Sequence, residues 1–440
     1  MRKSLLAMAA LMGVATLPAH AWRVNIDKET FADIGFSTQI QGRSEGARTR
    51  TITGANISTD NNATNFSVNL ANITASGQVN KLVYFSINAE SAGFRQQFLV
   101  RDAFIGMKFA EEFRVQAGAM RVPFSRIALT SSYNFLIPTQ ALGDVTRGLP
   151  INPISVVGQD NDGSRDTGIV VWGNVADGML KYYLGVSDGR FDRRNAATNL
   201  FGNNTKDSLA YTIRLQFTPT MLGFKPETGY SLSDTYLGRQ NVHNIGIGYR
   251  VVKAETTGLA NNYSRTAKLF TVDMIYEQKF GDLVPNLQVG YINAKDVPFG
   301  YNGTPAICPA NNVCYGKATQ IYAQAQLLYD QVVGFGKPAL AIRFEQNKNK
   351  DVLQFNTNAG GPPSPVTNVF GNPIGEPKNT RVGVFVHYYM KGQAARLSFG
   401  VDSVNRNTDS KNADPNAAAG PPAIRGKNFT DFTLYFQTRF

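Results

Sequence analysis

Residues 209–217 read Leu209-Ala210-Tyr211-Thr212-Ile213-Arg214-Leu215-Gln216-Phe217. Every odd position is large and apolar, and every even one is small or polar. Successive side chains of a strand point to opposite faces, so this alternation predicts a strand with one greasy face and one wet face. Nine residues is also about the length a strand needs to cross a bilayer.

The same period recurs through the chain. Val382, Val384, Val386, Tyr388 and Met390 alternate with Arg381, Gly383, Phe385, His387 and Tyr389, and Ile245, Ile247, Tyr249 and Val251 with Gly246, Gly248 and Arg250. Sixteen such segments are predicted, beginning near residues 31, 66, 81, 98, 113, 166, 179, 208, 241, 267, 285, 319, 338, 380, 395 and 429. An even number suits a bacterial barrel with both termini on the periplasmic side. Long polar connectors follow odd strands (43–65, 122–165, 188–206, 294–318, 349–378 and 406–428), and tight turns such as Ala110-Glu111-Glu112 follow most even ones. That matches long outer loops and short periplasmic turns. Residues 218–240 break the rule, being either a folded periplasmic turn or a missed hairpin. A soluble β-sandwich also alternates, but its strands average five or six residues, against nine to thirteen here. No charge falls on the apolar parity in the central band, where a Lys or Arg costs about 2–4 kcal/mol. Arg101 and Arg121 share that parity at strand ends.

The start of the chain agrees with export. Arg2 and Lys3, the apolar run Leu5 to Leu17 and the small-x-small Ala19-His20-Ala21 predict a signal peptide over 1–21 and a barrel over 22–440. Hydrophobic residues make up 42%, charged residues 17% and aromatics 11%, and no later apolar run reaches the length of a spanning helix. Cys308 and Cys314 are expected to form a disulfide in an oxidising compartment. A metal centre is the weaker alternative, since zinc wants at least three protein ligands. The net charge of +12 becomes +10 without Arg2 and Lys3. An exported protein meets no genome, so the basic excess points away from nucleic acid. It fits either anions drawn into a pore or outer loops facing acidic lipid sugars. The amphipathic strand 428–440, ending in Phe440, resembles the sorting signal read by the outer-membrane assembly machinery.

One stretch carries a family resemblance. Arg101-Asp102-Ala103-Phe104-Ile105-Gly106, then Gly118-Ala119-Met120-Arg121-Val122-Pro123-Phe124-Ser125-Arg126 and Leu129-Thr130-Ser131-Ser132, resemble segments of the phosphate-selective porin O and P family. The resemblance implies a sixteen-stranded barrel, a homotrimer, and passage of small anionic solutes past a third outer loop folded into the lumen. Here that loop is 122–165, holding Arg126 and Arg147 with Asp144, Asp160 and Asp162; Pro123 would end the strand's pairing and turn the chain inward.

Parity then places the chemistry. Inward positions hold Lys108, Arg114, Lys181, Arg214, Arg250, Arg343, Arg381, Arg396 and Arg439, with acids Asp33, Glu90, Asp102, Asp273, Glu277, Glu345 and Asp402. Arginine's planar donors match oxyanions, and cationic rings favour anions in pores. The candidate anion pathway is Arg114, Arg121, Arg126, Arg147, Arg214, Arg250, Arg343, Arg381 and Arg396. The plainer alternative is that each pairs with a neighbouring acid and braces the wall, as Arg396 and Asp402 would. His387 faces inward and His243 sits at a strand edge, and neither has a local serine and acid that would make a hydrolase. No cofactor is implied. The expected protein is an outer-membrane porin of a Gram-negative bacterium, seated among outer-membrane lipid and lipopolysaccharide and passing small anions. The rival is a barrel sheathing a cytochrome or another envelope partner; a wide lumen would favour the sheath, and an infolded third loop the porin.

Overall fold

A strand in lipid must find hydrogen-bond partners on both edges from protein alone, because the hydrocarbon supplies none, and only a ring of strands leaves no edge. The computed structural model of the chain is such a ring, an all-β antiparallel barrel of sixteen strands. It describes residues 22–47, 49–53, 56–59, 63–91, 99–138, 165–189, 209–256, 263–299, 312–356, 364–366, 376–407 and 423–440. The expected signal segment, Cys308 and Arg147 lie outside the described residues; Cys314 lies in a strand.

The strands are β1 Phe31–Glu45, β2 Ala63–Gln78, β3 Val83–Ser91, β4 Leu99–Lys108, β5 Arg114–Arg121, β6 Arg165–Val175, β7 Leu180–Ser187 and β8 Ala210–Phe217. The second half is β9 Val242–Thr256, β10 Tyr263–Glu277, β11 Leu283–Phe299, β12 Asn312–Tyr329, β13 Lys337–Asn356, β14 Lys378–Tyr389, β15 Ala395–Arg406 and β16 Phe429–Arg439. Each pairs with the next, and β1 closes the ring on β16 from Ser37↔Arg439 to Ser44↔Phe432. Phe440 finishes the seam, exchanging backbone hydrogen bonds of 2.9 Å with Phe36.

The parity predicted for 209–217 holds residue by residue, with odd positions exposed and even ones buried. The apolar outer belt runs through Ile213, Leu215, Ile247, Phe270, Ile321, Ile342, Val384 and Phe432, all exposed to the surroundings. Strand lengths depart from expectation on one side. β11, β12 and β13 have 17, 18 and 20 residues and extend beyond the ~9–11 that span a membrane. On that wall the strands absorb much of what the sequence reads as outer loop.

Two charges placed on the lipid-facing parity turn out to face inward. Between β3 and β4 the register slips, Asn88 pairing with Asp102 but Ala89 with Val100, so Arg101 is an extra residue. The bulge reverses its side, and its guanidinium meets Glu90 at 2.8 Å. Arg121 stands at the end of β5, where the chain leaves the wall for the lumen, and its side chain follows that turn to the Ala128 carbonyl at 3.0 Å. The lipid face thereby loses both charges.

Candidate functional site

The lumen is divided by two segments that enter it from opposite ends. From the outer side, Val122–Pro138 leaves β5 and crosses the barrel as the expected infolded loop, carrying the short helix Arg126–Leu129, which we label α1. Its start rests on β9: a Cβ on Gly248 would lie 2.0 Å from the Phe124 carbonyl oxygen, so only glycine lets the loop settle there. Its end is held by β15 and β16, where Arg396 donates to the carbonyls of Phe135 (2.8 Å) and Leu136 (3.1 Å) and Gln437 to that of Tyr133 (3.0 Å). From the periplasmic side, the long connector 218–241 also rises into the barrel. It is the folded turn of the two expected alternatives; among its described residues there is no strand, only a 3-10 turn at Thr220–Leu222.

These segments clasp each other. Leu232 donates its amide to the Leu129 carbonyl (3.1 Å), and Asp234 takes Thr130 Oγ1 (3.1 Å) and the Leu136 amide (3.2 Å). At the centre Arg126 forms a two-pronged pair with Glu227, 2.9 and 2.7 Å, with both residues buried. Glu227 also accepts from Asn244 (2.5 Å) and from the Tyr236 hydroxyl. Burial disfavours that charge, but Arg126 and these donors outweigh it and hold the Glu227 carboxyl down at about 2. Asp234 is the opposite case: burial dominates, pushing it up to about 6.

The wall supports the clasp. Arg214 forks onto Asp273 at 2.7 Å on both prongs, and Asp273 in turn accepts the Arg126 amide at 3.0 Å. Lys181 donates to the Glu227 carbonyl at 2.5 Å and to that of Gly229. Tyr230 packs edge-on against Trp172 and Tyr183, centroids 5.5 and 5.4 Å apart. Glu277 accepts the amides of Tyr236 (3.1 Å) and Gly238 (3.0 Å). The buried polar groups of this septum are thus largely paired, as a water-poor site requires.

The expected anion-pathway arginines separate accordingly. Arg126 and Arg214 are locked in the septum. Arg250 holds Asp166 (2.9 Å), Arg343 holds Asp402 (2.8 Å) and Arg381 holds Glu345 (2.6 Å), all buried. Asp402 therefore belongs to Arg343, and not to Arg396, whose partners are the loop carbonyls. Arg114 meets Glu111 and stacks 4.5 Å over Trp172. Parity identifies the face of a side chain but not its partner, and pairing decides which charges remain open to solute.

Of the described arginines in that set, Arg121 lines the cavity beside the infolded loop. A cavity of about 400 Å³ lies between the infolded loop at Ser131–Tyr133 and the wall of β1–β4. Arg121, Arg165 and Arg439 and one carboxylate side chain, Asp102, line it, among Ser37, Asn72, Asn88 and Phe440. Arg165 holds Asp102 at 2.8 and 3.1 Å, and Arg439 reaches Asn134 Oδ1 at 3.3 Å. Arg439 was legible on the inward parity. Arg165, the last residue of the third connector, carried no such signal. His387 is buried against Ser398 Oγ at 2.8 Å, beside the rings of Phe385 and Tyr389.

Acidification affects the clasp in two directions. Asp234 sits above its ordinary value, so its contribution is present below about pH 4 and is lost as pH rises through 6. Glu227 sits below its own, so its contribution is present above about pH 4.5 and lost as pH falls towards 2. The septum is expected to tighten from pH 7 to about 4.5, by on the order of 2–3 kcal/mol, and to loosen below that. Trp172 emission during urea titration at a series of pH values reads this. A midpoint that falls steadily from pH 7 downward contradicts it.

A closed ring with a lipid-facing belt, a charged lumen and an infolded third loop defines an outer-membrane porin. This chain belongs to the phosphate-selective porin O and P family, which matches residues 52–281, just over half of it. An uncharacterized protein of Aquifex aeolicus (strain VF5) is 29% identical over 154 residues, and the match spans 34% of this chain and 34% of that protein. Among solved structures, Salmonella typhi OmpF in complex with daunomycin superposes with a TM-score of 0.52 and 15% identity, over 95% of this chain and 100% of that one. An anion-selective porin from Comamonas acidovorans gives 0.47 at 12% identity, over 92% and 100%.

Proposed function

We propose that the protein is a passive diffusion channel for small solutes, with a preference for anions. Solute passes between the infolded loop and the β1–β4 wall. The observation that carries this reading is the balance of charged side chains lining the cavity there: three guanidinium groups to one side-chain carboxylate. Cationic side chains in a constriction raise the local anion concentration and exclude cations. The infolded loop also argues against a sheath for a redox partner, which would need an unobstructed bore. The family's description agrees with oxyanions as the solute class.

Planar-bilayer reversal potentials under a salt gradient test the reading. The wild-type channel is expected to prefer chloride to potassium, and Arg121→Gln with Arg439→Gln to bring the permeability ratio close to one. A cation-selective wild type would end the proposal. Neutralising Arg343 and Arg381, which are already paired, is expected to leave the ratio nearly unchanged.

The homotrimer is part of the same reading. The outer faces of β2–β5 set Ala71, Ala75, Ala89, Ala103, Ala117 and Ala119 among larger residues such as Ile73, Ile87 and Ile105, whereas β8 and β9 present Tyr211, Ile213, Leu215, Ile245 and Ile247. Small side chains let membrane surfaces approach closely, as they do between packed membrane helices. A native mass of one chain in mild detergent would contradict it.

A further inference from the structure

Inside the barrel, register sets side chains of adjacent strands in rows across the wall of the cavity. Arg439 on β16, Ser37 on β1 and Asn72 on β2 stand opposite one another in one row, which continues to Glu90 on β3. Two residues along the strands, Thr74 on β2, Asn88 on β3 and Asp102 on β4 form the next row. Arg439, Ser37, Asn72, Thr74, Asn88 and Asp102 all line the cavity. Arg439 and Asn72 are two strand spacings apart, about 10 Å at the backbone. The facing side adds Ser131 and Ser132 of the infolded loop and Ser231 of the connector.

The two asparagines have one end committed and one end open. Asn72 Nδ2 donates to Glu90 at 3.3 Å, and Asn88 Nδ2 to Asp102 at 3.1 Å. A carboxylate only accepts, so the nitrogen of each amide is fixed on the wall. The Oδ1 of each has no hydrogen-bond partner among the described residues, although both residues are more than nine-tenths buried. A buried acceptor is unfavourable until a donor reaches it. Two such oxygens on adjacent strands beside a cavity call for donors carried by what enters it. A bare oxyanion brings chiefly acceptors, which carbonyl oxygens repel. An ammonium group finds no open carboxylate side chain, because Arg101 holds Glu90 (2.8 Å) and Arg165 holds Asp102 (2.8 Å). The Phe440 carboxylate, also on the cavity, accepts the Phe36 amide at 2.9 Å. A hydroxyl group donates without bringing charge, and it fits both oxygens.

We propose that the cavity is a binding site for hydroxylated carboxylates, the chemistry of a sugar acid. Of its three arginines, Arg121 and Arg165 are buried and Arg439 is exposed, so Arg439 takes the solute carboxylate. Hydroxyl groups further along the solute donate to Oδ1 of Asn72 and of Asn88. Ser37, between Arg439 and Asn72, can both donate and accept. The cavity's volume of about 400 Å³ is that of a small-molecule site. This inference rests on the anion-channel reading and narrows it to one class of solute.

The test is block of the potassium chloride current of the full-length channel in planar bilayers, titrated separately with gluconate, propionate, sorbitol and inorganic phosphate. Gluconate is expected to half-block at a concentration about thirtyfold below propionate, which has the carboxylate alone, or sorbitol, which has the hydroxyls alone. That factor is the scale of two neutral hydrogen bonds. Phosphate should block more weakly than gluconate. Asn72→Ala and Asn88→Ala should each lower the gluconate-to-propionate ratio about fivefold, and together bring it close to one. Should the double variant fail to assemble, the single variants and the wild-type comparison of solutes decide. Equal block by gluconate and propionate would overturn the proposal and leave water only on the two oxygens. Stronger block by phosphate than by gluconate would also overturn it, as would a ratio unmoved by both alanines. The wild type's own reversal potential keeps the two readings apart: an anion-selective channel that does not tell gluconate from propionate sinks this inference alone, and a cation-selective one sinks both.

Discussion

Replacing Arg126 with alanine is expected to weaken the septum by about 3–5 kcal/mol, because it leaves Glu227 charged, buried and without its cation. The remaining donors to the Glu227 carboxylate are a phenol, two amide side chains and backbone, all neutral, and the nearest other cation, Lys181, is bonded to the Glu227 backbone carbonyl instead. Loss of the pair would free α1 from the periplasmic connector, so larger and noisier single-channel currents are expected alongside. The protein carries its own reporter. It has two tryptophans, and Trp172 lies against Tyr230 of the connector, so its emission follows release of that segment. Arg126→Met with Glu227→Leu should recover most of the loss, since a buried pair exchanged for packed apolar groups is often neutral or better. An unchanged Trp172 transition and unchanged current noise in Arg126→Ala would mean that the pair does not hold the septum.

Ile247→Lys is expected to cost about 2–4 kcal/mol of barrel stability, the range for a lysine at mid-membrane on the lipid face. Ile247 lies between Leu215 and Val272 on the neighbouring strands and is half exposed on the outer surface. Asn405→Lys, also outward but near the long-loop end of β15, should cost no more than ~1 kcal/mol. Urea unfolding from lipid vesicles measures both. Equal costs at the two depths would remove the case that this belt faces hydrocarbon, and the membrane placement with it.

The architecture was legible because alternation is local. A single segment such as 209–217 shows which side chains face out, and strand length then separates a membrane ring from a sandwich. Strand starts near 114, 165, 180, 242, 395 and 429 followed from that pattern alone. The infolding of the third loop was legible from Pro123 and the motif around it. Two things were not. Arg101 turns inward because of one inserted residue, and its effect on facing appears only when β3 and β4 are aligned. The connector 218–241 carries no period, so nothing local said that it would rise into the lumen.

The arginines show the division most clearly. The amino-acid sequence by itself determined the closed barrel, its outward and inward faces, and a lumen rich in both signs of charge, since each follows from side chains two residues apart. Only the tertiary structure decided which arginines pair with Glu227, Asp273, Asp166, Asp402 and Glu345, and that Arg121, Arg165 and Arg439 line the cavity. The physical reason is that an ion pair depends on two groups brought together from distant strands. Their distance is set by register and closure around the whole ring, and no local period encodes either.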